Sequence, residues 1–312
     1  MIKAVLFDFD ETLQDRTEAF EHYMDAFFAL YLPALKGEEL EQRREEMRVT
    51  GNGGYVKFRL GTDVPVGRHT AYIYLTDQLG IRRVLKLNLT VTGDVPAIWS
   101  VYNMGYIVKT RESLFSIDLN HRRGTEFAPM LDFALITHNH GDHWRKDFYD
   151  AMTGQGKIVA SNFLDNPRFN EMKGDSAKGV GTYRIKDVEI RTSLIDHSDA
   201  AWGINFTMAF EIRIGNWLLY HTGDSGRGTE PKLVTPWGRP DLWLFFPGCG
   251  INTAKAVEKI NAKRIVFGHL WELGHKTRHR GRLDEPLIRR ALAAARPIVK
   301  DTSLAFWGDR IV

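Results

Sequence analysis

The stretch FALITHNHGDHW, residues 133–144, carries the strongest chemical signal in the chain, because an apolar run leads directly into several side chains that can bind a metal ion. Residues 133–136 have the composition of a buried strand. Four candidate ligands follow: His138, His140, Asp142 and His143. Imidazole and carboxylate are the ligands that a borderline divalent ion such as Zn²⁺ prefers. A loop after a strand lets such side chains converge, whereas a regular strand points alternate residues to opposite faces, so the stretch predicts a metal site at a strand end.

The spacing HxHxDH after an apolar strand is the signature of the metallo-β-lactamase superfamily, which the chain resembles over roughly residues 96–312. The resemblance implies an α/β fold of four layers (αββα). Short apolar segments such as YIVKT, VEIRTSL and LWLFFPG predict the strands, and helices are predicted at residues 142–152, 252–260 and 285–295. The resemblance also implies later ligands that each follow a strand. Three residues match: His197 after SLID, Asp224 in LLYHTGD and His269 at the end of RIVFGH.

The resemblance further implies how these residues share two metal ions. One ion is assigned to His138, His140 and His197, the other to Asp142, His143 and His269, and Asp224 is expected to bridge them. Paired ions of this kind can share a hydroxide nucleophile and stabilise charge on the attacked and leaving oxygens, which makes Asp142 and Asp224 the expected catalytic residues. The ligand types favour Zn²⁺, although manganese and iron accept the same set.

Several residues near the predicted ligands have two interpretations. Asp118, which ends LFSID, matches the acidic residue that the family places beneath the metal loop, but it is equally a strand-terminal aspartate. Residues His275, Arg278 and His279, in the basic stretch after His269, could face a substrate phosphate or carboxylate, or lie on an exposed loop. We expect His221 to be structural, since strand alternation points it away from Asp224.

The lone cysteine, Cys249, is isolated in the loop FFPGCG, and a metal-bound hydroxide needs no cysteine as the nucleophile. One cysteine cannot form an intrachain disulfide, which favours a reducing compartment. The first residues also lack the apolar run of a secretory signal, so the sequence predicts a cytoplasmic protein without a membrane span. The formal charge of +3, from 42 basic and 39 acidic residues, is too nearly balanced to favour nucleic acid or an anionic membrane as a partner.

The first part of the chain has a different sequence pattern. VLFDFDETLQD, residues 5–15, resembles the first motif of haloacid dehalogenase-like hydrolases, in which Asp8 would attack phosphorus and Asp10 would be the acid/base. The phosphate-holding hydroxyl, lysine and Mg²⁺ carboxylates of such an enzyme have no place later in the chain. Asp8 and Asp10 are therefore predicted to be an inactive remnant.

Three segments follow from these patterns. Residues 1–50 are predicted to be an incomplete dehalogenase-like fragment with a helical part, and residues 96–312 the hydrolase domain. Between them, residues 51–95 alternate apolar and polar side chains and resemble the last strands of an immunoglobulin-like domain. That segment has too few strands to close a sandwich of its own.

Cytoplasmic hydrolases of the superfamily include lactonases that open phosphorylated ascorbate lactone, phosphodiesterases and thioesterases. The main hypothesis is accordingly a dinuclear metal-dependent hydrolase acting on an ester, lactone or phosphodiester bond of a small anionic molecule. One alternative is a non-catalytic metal-binding or scaffold protein on the same fold, and another is a Mg²⁺-dependent phosphatase of the dehalogenase type. The short stretch between Asp224 and His269 leaves no room for the inserted domain of RNA-processing nucleases, so RNA is not favoured as a substrate. The sequence does not indicate the oligomeric state.

Overall fold

A computed structural model describes residues 65–76, 82–91, 93, 95–120, 124–174, 179–199, 204–270 and 284–312. Several sequence predictions therefore lie outside the described residues: the dehalogenase-like fragment 1–50 with Asp8 and Asp10, and the basic residues His275, Arg278 and His279. The chain divides into two compact units, Met1–Val91 and Thr92–Val312. Within the described ranges, no helix has the length and apolar composition needed to cross a membrane.

In the first unit, the structure describes one antiparallel pair of strands. Strand β1 (Gly67–Thr76) pairs with strand β2 (Arg82–Val91) in a regular register from Gly67↔Val91 to Thr76↔Arg82. The alternating side chains seen in the sequence explain the pairing, because polar residues such as Lys86 and Asn88 share one exposed face.

The second unit is built on two sheets. Five strands, adjacent in the order given, form the first: β3 (Ala97–Tyr102), β4 (Gly105–Lys109), β5 (Leu114–Ile117), β6 (Phe133–Leu135) and β7 (Ile158–Ala160). Seven form the second, also in sequence order: β8 (Gly181–Ile185), β9 (Val188–Asp199), β10 (Ile204–Ile214), β11 (Trp217–His221), β12 (Leu242–Phe245), β13 (Arg264–Phe267) and β14 (Thr302–Leu304). In both sheets the earlier strands pair antiparallel and the later strands pair parallel.

The described helices of this unit are short. They are α1 (Gly124–Phe127), α2 (Lys146–Thr153), α3 (Pro167–Lys173), α4 (Thr253–Ile260), α5 (Glu285–Ala295) and a 3-10 turn at Glu230–Lys232. Helices α4 and α5 begin where the sequence predicts them, because Asn252 and Asp284 cap their first turns by accepting hydrogen bonds from backbone amides.

Two cores follow from the period-two alternation of the strands. In β12, Leu242 and Leu244 point into a core that also holds Phe115 and Phe133 of the five-stranded sheet, so the two sheets pack face to face. Their neighbours Trp243 and Phe245 point to the other side, where the side chains of α4 and α5 cover them. Two packed sheets with helices outside confirm the predicted α/β fold class.

Two local predictions are wrong. The helix expected from Asp142 begins at Lys146 instead, because the backbone amides of His143 and Trp144 donate to the carbonyl of His140 and form a turn. This turn leaves the Asp142 and His143 side chains available to the site. Strands β8 and β14 were not predicted, since their sequences GTYRI and TSL have little apolar content.

Candidate metal centre

The side chains predicted as ligands converge from distant parts of the chain. His138 lies just beyond β6, His197 lies within β9, Asp224 follows β11 and His269 follows β13. Parallel strands end at the same edge of a sheet, so the loops after β6, β11 and β13 can bring their side chains together. Ligand atoms that lie within 4.8 Å of one another form two groups: His138, His140, His197 and Asp224, and then Asp142, His143 and His269.

The first group consists of three imidazoles that face a common point. His138 Nε2 lies 3.0 Å from His140 Nδ1 and 3.2 Å from His197 Nε2. Ligands bound at about 2.0–2.1 Å to a tetrahedral ion stand roughly 3.3 Å apart. The spacing of these nitrogens therefore fits a shared divalent ion.

The second group lies beside the first, and Asp224 contacts both. His269 Nε2 is 3.1 Å from Asp142 Oδ2. Asp224 Oδ1 is 3.2 Å from His143 Nε2, and Asp224 Oδ2 is 3.8 Å from His197 Nε2 and 3.7 Å from His269 Nε2. A carboxylate between two groups of ligands is the arrangement that a bridging role requires.

Burial and charge also fit a cation at this place. His143 Nε2 and Asp224 Oδ1 are buried and face each other at 3.2 Å, a spacing that two ligands of one ion also show. Burial alone would raise the pKa of Asp224, but His143 and His269 hold it well below its usual range. Burial and the charge of His143 hold the pKa of His138 well below its usual range. The centre thus combines an ionised Asp224 with a neutral His138, the protonation states in which these groups bind metals, whereas Asp224 and Asp118 hold the pKa of His143 well above its usual range against the effect of burial.

Two residues beneath the ligands fix their orientation. Asp118 Oδ2 is 2.9 Å from His143 Nδ1 and accepts a hydrogen bond from the Thr137 hydroxyl at 2.7 Å, while Oδ1 accepts from the Thr137 amide at 2.7 Å. An ionised carboxylate only accepts, so His143 Nδ1 carries the proton and Nε2 faces the site. Burial opposes ionisation of Asp118, but His143 and His221 hold its pKa well below the usual range.

Thr137 has the same effect on the first group. Its hydroxyl proton is donated to Asp118, so its oxygen accepts from His138 Nδ1 at 2.9 Å and leaves His138 Nε2 facing the site. Nothing in the sequence marks Thr137, which lies two residues beyond β6. Asp118 is more than a strand-terminal residue, since its φ of 46° is a left-handed conformation and its carboxylate makes several buried hydrogen bonds.

His221 lies beneath the ligands, in contact with Asp118. Its ring is fully buried, and Nε2 lies 3.3 Å from Asp118 Oδ2. Strand β11 ends at His221, and Gly223, with a φ of 50°, turns the chain before Asp224. His221 therefore belongs to the buried network that orients His143.

Cys249 lies beside the metal centre. Its Sγ lies 3.6 Å from Asp224 Oδ2, because the loop after β12 folds back beside the loop after β11. Phe246 stacks on the His269 ring with centroids 4.2 Å apart and planes at 15°. No pattern in the sequence marks either contact, since both depend on how the loops at the sheet edge pack.

Asn103 is a further residue beside the ligands that nothing in the sequence marks. It is 2% exposed, and its Nδ2 lies 3.3 Å from His269 Nε2 and 3.4 Å from Asp142 Oδ2. Its backbone carbonyl accepts a hydrogen bond from the His269 amide at 3.1 Å. A lone asparagine between two strands is a common turn residue, so nothing in the sequence distinguishes Asn103.

Comparisons with known proteins agree with this fold. No protein-family model matches the chain. The chain is 28% identical to a UPF0173 metal-dependent hydrolase of Methanosarcina mazei over 152 residues, and 29% identical to UPF0173 metal-dependent hydrolase TTHA1283 of Thermus thermophilus over the same length. Each match covers 44% of this chain and 65% of the relative, so the chain spans about two thirds of the proteins that it resembles.

Two solved structures share the architecture at low identity. Igni18, a metallo hydrolase from Ignicoccus hospitalis, has a TM-score of 0.50 at 15% identity, covering 69% of this chain and 97% of its own. CmlA, a diiron β-hydroxylase from Streptomyces venezuelae, has a TM-score of 0.50 at 13% identity, covering 72% of this chain and 55% of its own. The relatives, the two sheets and the HxHxDH motif confirm the predicted likeness to the metallo-β-lactamase superfamily.

Proposed function

We propose that this protein is a metal-dependent hydrolase whose centre holds two divalent ions. The observation that carries the proposal is the convergence of the seven ligand side chains in two groups, with Asp224 in contact with both. Relatives named metal-dependent hydrolases support the reaction class. The ligand types favour Zn²⁺, and manganese or iron would fit the same donors.

Each residue of the centre has a proposed task. His138, His140 and His197 hold one ion, Asp142, His143 and His269 hold the other, and Asp224 joins them. When bound, such an ion pair lowers the pKa of a water molecule and stabilises negative charge on the attacked and leaving oxygens. Asp142, whose side chain is 23% exposed, is more accessible than Asp224 at 6%, and its proposed task is to accept the proton of the attacking water.

The proposed substrate is a small anionic molecule with an ester, lactone or phosphodiester bond. Two cations in a buried centre favour substrates whose reacting group gains negative charge in the transition state. The basic stretch that contains His275, Arg278 and His279 follows the last ligand directly in sequence, which supports an anionic substrate. A cytoplasmic location stays a prediction, which the single cysteine supports.

Metal analysis combined with a hydrolysis screen tests the proposal. The purified protein is expected to carry two ions per chain and to hydrolyse at least one member of a panel of lactones, thioesters and phosphodiesters. A chelator should abolish this activity and Zn²⁺ should restore it. Stoichiometric metal without turnover across the panel would favour the scaffold alternative instead.

Two variants locate the activity. His140→Ala removes a ligand of the first group and should abolish turnover. Asp8→Asn is the matched control for the dehalogenase-like motif and should leave turnover unchanged. If Asp8→Asn were inactive while His140→Ala kept full turnover, the phosphatase alternative would replace the present proposal.

A further inference from the structure

Asn103 occupies a strained and buried position beside the second group of ligands. It lies in the turn between β3 and β4 with a φ of 53°, which is a left-handed conformation. Such conformations cost free energy and concentrate at functional sites. His269, the ligand that Asn103 contacts, has a φ of 58° as well. The hydrogen bond from the His269 amide to the Asn103 carbonyl holds these two residues together.

The carboxamide of Asn103 points at the ligand atoms. One of its two terminal atoms is 3.3 Å from His269 Nε2 and 3.4 Å from Asp142 Oδ2. The other, Oδ1, is buried and has no hydrogen-bond partner among the residues that the structure describes. A half-turn of the amide exchanges the oxygen and the nitrogen without changing the shape of the side chain.

A cation in this group decides which amide atom faces the ligands. Once His269 Nε2 and Asp142 Oδ2 bind an ion, an NH₂ group beside them would direct its partial positive charge at that ion. The amide oxygen in the same position carries partial negative charge instead. The distances of 3.3 Å and 3.4 Å match the roughly 3.3 Å that separates ligands of one tetrahedral ion.

We propose that Asn103 supplies its amide oxygen as a ligand to the ion held by Asp142, His143 and His269. The proposal deepens the function proposed above and depends on it, because it requires a second ion at this place. Carbonyl oxygens are accepted by divalent ions with hard or borderline character. The second ion would then be held by Asp142, His143, His269 and Asn103, together with Asp224, which both ions share.

Two substitutions separate an oxygen ligand from an amide donor. Asn103→Gly removes the carboxamide and keeps a residue that adopts positive φ without strain. Asn103→Asp keeps the shape and offers only oxygens. If residue 103 acts as an oxygen ligand, Asn103→Asp keeps that ligand. If instead its amide donates a hydrogen bond to Asp142, Asn103→Asp replaces the donor with a second negative charge. Asn261→Gly is the matched control, because Asn261 has a φ of 47° at the end of α4.

The test is calorimetric titration of the chelator-stripped full chain with Zn²⁺, and with Co²⁺ to record the absorption bands that report coordination. The parent and Asn261→Gly should bind two ions. Asn103→Gly should bind the second ion about tenfold to 100-fold more weakly, with the first unchanged and altered Co²⁺ bands. Asn103→Asp should bind the second ion at least as tightly as the parent.

Two results would overturn the proposal while leaving the hydrolase function intact. One is an unchanged second-ion affinity and Co²⁺ spectrum in Asn103→Gly. The other is an Asn103→Asp variant as weak as Asn103→Gly, which would show that the amide N–H is the functional atom. A parent protein that binds no second ion would instead refute the dinuclear centre itself.

Discussion

Replacing Asp118 by Asn tests whether this residue orients the metal ligands. The substitution keeps the size of the side chain and removes its charge. Asp118 accepts hydrogen bonds at both oxygens, from the Thr137 amide at Oδ1 and from the Thr137 hydroxyl and His143 Nδ1 at Oδ2. An asparagine has only one accepting oxygen, so at least one of these buried donors must lose its partner.

The loss of stability in Asp118→Asn can be estimated for the more favourable of the two orientations of the new amide. With its oxygen in the Oδ2 position, its NH₂ group faces the Thr137 amide, and an unsatisfied buried donor costs about 1–3 kcal/mol. The remaining bond to His143 loses its charge assistance, which is worth about 1 kcal/mol more. The free energy of unfolding of the metal-free protein should therefore fall by about 2–4 kcal/mol. Since His143 belongs to the second group, affinity for the second ion should fall by about 10- to 100-fold.

Urea unfolding of the chelator-treated protein and Zn²⁺ titration measure the two effects. Asp187→Asn is the control, because Asp187 also accepts hydrogen bonds at both oxygens, from Ser113 Oγ at 2.5 Å and from the Glu112 amide at 3.1 Å, but contacts no predicted ligand. It should lose stability and keep both ions. Unchanged stability and unchanged second-ion affinity in Asp118→Asn would show that Asp118 only ends strand β5.

Three further predictions concern the surroundings of the centre and the fold. His221→Phe removes the contact with Asp118 and should weaken binding of the second ion by about tenfold, measured by the same titration; equal affinity would make His221 purely structural. For Asp187, burial alone would raise the pKa, but hydrogen bonds from Ser113 and other donors lower it. A carboxyl whose pKa is lowered by folding stabilises the protein above its unfolded pKa of about 3.9, and this contribution is lost as the pH falls through the folded value. The stability difference between the parent and Asp187→Asn should therefore be largest near pH 7 and shrink towards pH 3 in urea unfolding; a difference that grew with acid would contradict the sign. Gly223→Ala should destabilise the protein by about 2–4 kcal/mol in thermal unfolding, because its φ is 50° and a new Cβ would lie 2.5 Å from Thr207 Oγ1. A neutral effect would mean that the loop after β11 relaxes freely.

The sequence by itself determined the elements that depend on local pattern. The alternation in β12 assigned Leu244 to one core and Trp243 to the other, because a strand places successive side chains on opposite faces. The HxHxDH spacing identified a ligand cluster, since its members are close along the chain. The later candidates His197, Asp224 and His269 were identified only through the resemblance to the metallo-β-lactamase superfamily, which implies single ligands that each follow a strand.

Only the tertiary structure decided which residues meet those ligands. Asn103 and His269 are far apart in the chain, and they touch because the loops at one edge of the packed sheets converge. The same packing brings His221 to Asp118 and Cys249 to Asp224. Local periodicity determines which face a side chain occupies. Its partners across the fold depend on sheet order, strand ends and turns with positive φ, and these are fixed only when the whole chain has packed.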